Sequence, residues 1–294
     1  MKRIPRNLIQ HLEWKPQDGA FPTPPTSPAP QPAQTLLSID NLINHGRSFY
    51  NTDTDSDGKA IGVTQSLKQA MEHGTVASLP YLIAGKAQAA TENYLWQSWF
   101  SASEEHVGID KEGRFGTAGK PVVVVVHGFR LLTPDRIMQA YADGLTPQGA
   151  AKLTETEFGH LLEGKLPSDE SIQLYTVDQA KDNLRDPFGN YAVIVDFELA
   201  KAQNGYATKD KFLKNPLVLA RSGVNIALST YFDKAKNTDG KVGNHHRLAE
   251  IDPQQPQGRV LFVYDNYNGL IGNNNLYING RFVGVAPEAR VARK

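Results

Sequence analysis

The sequence predicts an α+β protein: a helical N-terminal part followed by a β-rich domain with interspersed helices. Three observations predict it. Before residue 118, apolar residues recur at helical spacing, as in Leu36, Leu37, Ile39, Leu42 and Ile43. Valines then fill positions 122–126 without interruption, between Pro121 and His127-Gly128. A β-branched run of that kind reads as a strand buried on both faces. Further strand-like segments at 172–177, 191–197 and 260–264 sit among helical ones.

Taken in order, the chain opens with a basic, partly apolar segment and a proline-rich arm at 1–34. Six of the eighteen prolines fall from Pro22 to Pro32, with Ser, Thr and Gln between them. Such a stretch has no ladder donors and little to bury, so it reads as a disordered spacer or a ligand for an aromatic groove on an unidentified protein partner. Leu8, Ile9, Leu12 and Trp14 suit a short amphipathic segment. Residues 35–118 are expected to be helical, with 63–71 and 77–89 continuing the pattern. Trp96, Trp99 and Phe100 stand at i, i+3 and i+4, one face of a helix, and read as core. Glu104-Glu105-His106 follows as a solvated helix end, or as an acid–base group if buried.

The third region, 119–294, begins with the valine strand. A helix at 131–141 is expected next, with Thr133 as N-cap, Pro134 in the first turn and Gly144 closing it. A second helix is expected at 154–162. Near the end, residues 275–285 read as a hairpin turned at Asn279-Gly280.

Bulk properties narrow the function classes. The chain is long enough, at 294 residues, to bury a sizeable core. Thirty-one basic residues balance 31 acidic ones, which argues against nucleic-acid binding and gives no attraction to anionic membranes. Cysteine is absent, so disulfides and thiolate metal sites are excluded. No apolar run reaches the ~18 residues of a membrane span. The basic start, Met1 to Arg6, lacks the apolar stretch of a secretory signal. The expectation is a soluble protein that is cytoplasmic, or exported without such a signal.

Smaller motifs carry less. Asp53-Thr54-Asp55-Ser56-Asp57-Gly58 has the spacing of half a calcium loop, with Thr64 where a bidentate Glu belongs. His245-His246 has no third ligand at a recognisable spacing, so no metal is expected. Asn266-Tyr267-Asn268-Gly269 and Asn273-Asn274-Asn275 form an Asn/Gly-rich region, read as structural turns or as a ligand-contacting loop.

Two resemblances bear on activity. The order of strand, His127-Gly128, helix, Gly144-Leu145, strand with Leu174-Tyr175-Thr176 and strand 191–196 resembles the NAD-binding core of the ADP-ribosyltransferase superfamily. The resemblance implies NAD as substrate. It implies that His127 holds the ribose hydroxyls, that the Gly128 backbone meets the nicotinamide amide, and that Tyr175 stacks on the ring with Thr176 in support. It also implies Glu250 as the carboxylate that stabilises charge developing on the sugar. The string Val125-Val126-His127-Gly128-Phe129 also resembles the α/β-hydrolase fold, which implies Ser222 as nucleophile and Asp265 as the acid. No histidine follows Asp265, as the triad order of that fold requires. A third expectation is a non-catalytic structural or assembly protein, including a homo-oligomer.

Overall fold

A computed structural model describes residues 38–54, 61–272, 276 and 279–287. The proline-rich arm and most of the half calcium loop lie outside these residues. The described chain opens with α1 (Ile39–His45), β1 (Arg47–Tyr50), α2 (Gly62–His73), β2 (Thr75–Val76) and α3 (Leu79–Gln88). It continues through β3 (Phe100–Asp110), β4 (Lys120–His127), α4 (Pro134–Asp143), β5 (Ala151–Lys152), α5 (Glu155–Leu162), β6 (Gln173–Thr176) and α6 (Val177–Asn183). The remainder is β7 (Tyr191–Asp196), α7 (Phe197–Lys201), β8 (Gly205–Thr208), α8 (Lys209–Lys214), α9 (Pro216–Arg221), α10 (Leu228–Ala235), β9 (Lys241–His246), β10 (Gln257–Val263), β11 (Leu270–Gly272) and β12 (Arg281–Val285). The architecture is α+β.

β4 anchors the larger sheet. Val123 and Val125 pack into one apolar cluster, while Val122, Val124 and Val126 pack into another on the opposite face, against α5. All five are fully buried. The nine-stranded sheet runs β6-β7-β4-β3-β10-β11-β9-β8, with β5 pairing beside β11 on β10. Only β6–β7 and β11–β9 are parallel. A second sheet has the order β1-β12-β2. Both neighbours of β12 therefore come from the N-terminal part, and the first half of the expected hairpin lies largely outside the described residues.

The helix ends follow their side chains. The Thr133 hydroxyl accepts from the Arg136 N–H at the start of α4, and Gly144 ends that helix at φ +76°. Thr154 and Glu157 close a reciprocal capping box on α5.

The segment around Trp96 departs from its helical expectation. Trp96 ends a 3₁₀ turn, and Phe100 opens β3, so the three aromatics share no helix face. Glu104, Glu105 and His106 are fully buried in the middle of that strand. What makes this tolerable comes from far along the chain. Glu104 accepts from the backbone N–H groups of Arg130, Leu131 and Leu132 at 2.7–3.3 Å and contacts His106 Nε2 at 2.7 Å. Glu105 receives Arg221 Nε and Arg259 Nε, each at 2.9 Å. Buried charge is stable only when paired in this way, and local spacing cannot reveal the partners. Among the described residues, no helix is long and apolar enough to cross a membrane.

Candidate functional site

His127 closes β4 fully buried. Its Nε2 lies 3.0 Å from the Ala220 carbonyl, which can only accept, so Nε2 carries the proton. Nδ1 then accepts from the Ser103 hydroxyl at 2.9 Å, and Ser103 Oγ in turn accepts the Leu79 N–H. Burial pushes the imidazole down to about 3, outweighing the opposite effect of the Ala220 bond. It is a neutral histidine with both nitrogens used inside the core. Gly128 supplies a left-handed turn at φ +94°.

Tyr175 and His127 both meet Tyr191, at ring distances of 6.3 and 4.6 Å. Thr176 is occupied as the N-cap of α6 in a capping box with Gln179. Glu250 does not join them. It lies exposed in a 3₁₀ turn that packs against α7, which leaves β7 at Asp196, whereas His127 pairs with Tyr191 at the other end of that strand. Five residues of strand separate those ends by about 17 Å.

Ser222 is buried at the end of α9 and donates its hydroxyl to the Leu219 carbonyl at 3.1 Å. His127 is bonded to Ala220 and Ser103, so it does not serve this serine as a base. Among the described residues, no cluster of three or more His, Asp or Glu could hold a metal. A cavity of about 280 Å³ between the 109–114 turn and α5 is flanked by Lys111–Glu155 and Arg114–Glu163 ion pairs.

The side chains that do converge in the open lie at the β8 end of the sheet. Tyr206 is 48% exposed on β8, and Tyr267 is 42% exposed on the 264–269 turn. Tyr206 meets the His245 ring edge to face at 5.0 Å and the Tyr267 ring at 6.0 Å. Its hydroxyl donates to Asn268 Oδ1 at 2.8 Å. Tyr206 is opposite Gly243 in register, and His245, two residues on, therefore shares its face.

Backbone contacts hold this surface. Gly243 N–H donates to the Tyr267 carbonyl at 2.7 Å, Tyr264 N–H to Gly269, and the Asn266 side chain caps Asn268 N–H at 3.0 Å. Gly269 sits at φ +67°, and a Cβ there would come within 2.2 Å of the Gly243 carbonyl oxygen. From beneath, Arg221 Nη1 donates to Asn244 Oδ1 at 2.7 Å and to the His245 carbonyl at 3.1 Å, while Glu105 neutralises it. Burial, then the Arg221 charge, lowers the His245 pKa and favours its neutral form. The surface thus offers neutral rings and amides suited to stacking and hydrogen bonding. Of its members, the Asn/Gly-rich turn was legible as a loop and His245 as half of a histidine pair. Tyr206, in Asn204-Gly205-Tyr206, carries no local signal.

No family model matches the chain, and no curated protein matches it either. A solved structure described as "Accommodation of massive sequence variation in Nanoarchaeota by the C-type lectin fold" is similar over 83% of this chain and 99% of that one, at 26% identity and a TM-score of 0.60. That likeness overturns the ADP-ribosyltransferase resemblance, from which the NAD reading and the roles of His127, Gly128, Tyr175, Thr176 and Glu250 were drawn. The α/β-hydrolase resemblance has no support. Both rested on short strings around a buried strand end. There His127 serves packing and Gly128 serves chain reversal, which many folds require.

Proposed function

We propose that this chain is a non-catalytic binding protein that holds a macromolecular ligand on the Tyr206–His245–Tyr267–Asn268 surface. One observation carries the reading: two exposed tyrosines are fixed in place by Asn268 and by a backbone that depends on Gly243 and Gly269. Rigid aromatic side chains bury large area at low entropic cost, and amides adapt their hydrogen bonds, which is the composition of antibody-type binding loops. The similar structure's description, variation accommodated by a C-type lectin fold, supports a scaffold whose outward side chains change while its frame stays. In this chain the frame would be the glycines, Asn266 and the Glu105–Arg221 pair. The changeable part would be Tyr206, Tyr267 and the amide groups around them. A second route to partners, through the proline-rich arm at 16–34, belongs to the same class of function, as does self-association.

The test is the Tyr206→Ala/Tyr267→Ala double variant. Stability should change by no more than about 1 kcal/mol, as expected for two exposed positions. A ligand retained from source-cell extract by the immobilised wild-type chain should be lost. Retention by the double variant at wild-type levels would place the binding surface elsewhere.

A further inference from the structure

The smaller sheet carries a second group of side chains that the tyrosine surface leaves unused. Tyr50 lies opposite Arg281 in the β1–β12 register. The Arg281 guanidinium carbon stands 4.3 Å from the Tyr50 ring centre and 5.8 Å from that of Trp99. The two rings meet edge to face at 6.1 Å, and Tyr50 is 44% exposed. Trp99 is itself fixed from behind by Phe262 at 5.5 Å. Aromatic faces hold a planar cation by its face and leave its edge, where the N–H donors point, for a partner.

That edge is unused among the described residues. The Arg281 side chain makes no ion pair among the described residues, and its Nε is buried without a hydrogen-bond acceptor. Ser48, which shares a face of β1 with Tyr50, likewise has a buried hydroxyl without a partner. Folded proteins seldom leave a buried donor unmatched, and a charged one is the most unfavourable to leave so. The two Nη groups, unlike Nε, are not among the buried atoms, and a guanidinium fits a two-oxygen anion in bidentate fashion there.

We propose that the Tyr50–Trp99–Arg281 shelf binds a carboxylate of a protein partner. Charge matching favours a carboxylate over a phosphate. One guanidinium balances a monoanion, whereas a phosphate dianion needs a second cation. Arg47, nearby on β1, lies on the opposite face, stacked over Phe49 at 5.4 Å. The shelf is separate from the tyrosine surface, and its occupancy does not depend on what that surface binds.

The full chain, labelled at arginine Nε with nitrogen-15, tests this by NMR. Arg281→Gln identifies the Arg281 resonance by its disappearance. The probe is an end-blocked pentaglutamate peptide, compared with inorganic phosphate at equal ionic strength. The peptide should move the Arg281 Nε–H signal downfield and saturably, while phosphate leaves it in place. Tyr50→Ala should weaken the peptide about tenfold by removing the ring beneath the cation. Arg281→Lys, which keeps the charge without the fork, should lose saturable binding while its circular dichroism spectrum stays that of wild type. Three results would overturn the proposal: no shift with peptide, a stronger response to phosphate, or a signal already at its bonded position without peptide because a carboxylate of the chain itself fills the edge.

Discussion

At the scale of single residues, two buried basic groups make stability depend on pH in separate windows. His127 is held at about 3 against 6.5 for an ordinary histidine. Between those values the unfolded chain takes up a proton that the folded chain refuses, so stability falls as pH drops from about 6.5 toward 3. Urea unfolding of His127→Gln, whose amide can still donate to Ala220, should lose about 1.4 kcal/mol per pH unit of that slope between pH 6 and 4. Lys86 is fully buried, its ammonium over the Trp96 ring at 4.7 Å and bonded to the Leu95 carbonyl. Burial lowers it to about 7, against the attraction of Asp265. Here too the unfolded chain binds the extra proton, now from pH 7 to 10.5, and stability rises with pH across that window. Lys86→Met should therefore be more stable than wild type at pH 6, with the gain shrinking toward pH 10. A constant difference across that range would mean that the lysine's charge is not what is being relieved.

At the scale of elements, short stretches of backbone in unusual conformations shape the surfaces. The 264–269 turn approaches β9 so closely that only glycine fits at 269. Gly269→Ala should cost about 1–3 kcal/mol, seen by chemical denaturation. It should also speed hydrogen exchange of the Gly243 N–H, which bonds the same turn through Tyr267. After α9 the chain turns through Gly223 and Val224, at φ +62° and +54°. A β-branched residue rarely adopts that region, and Ile226 just beyond is 98% exposed. Val224→Gly relieves the strain at the loss of a half-buried side chain, and a net gain of about 1 kcal/mol is expected in the same assay. Elsewhere the elements follow local rules, as the Thr133 cap of α4 does, and that cap was readable from local sequence alone.

At the scale of the whole molecule, the two surfaces occupy parts of the fold assembled from distant sequence. Tyr206 and His245 come from neighbouring strands at one edge of the large sheet. The Arg281 shelf joins β1 and β12, the first and last strands among the described residues, with the segment entering β3. Neither surface contains the residues that the transferase resemblance named. Thermal unfolding with millimolar NAD should accordingly leave the midpoint unchanged, whereas a ligand that binds only the folded state would raise it. A rise abolished by His127→Ala would return the nucleotide to the end of β4.

The residues by themselves determined the mixed α/β character, the valine strand buried on both faces, the caps of α4, and the absence of any thiol chemistry. Each depends on neighbours within about five positions, where side-chain periodicity and capping act directly. Tertiary structure alone decided that Glu104 and Glu105 belong to a core strand, because their partners stand 26 to 154 residues away. It alone decided that His127 is a packing residue, since Ala220 and Ser103 reach it through the fold. The tyrosine surface and the arginine shelf are also tertiary products. Strand order sets which side chains meet across a sheet, and that order arises from burial summed over the whole chain.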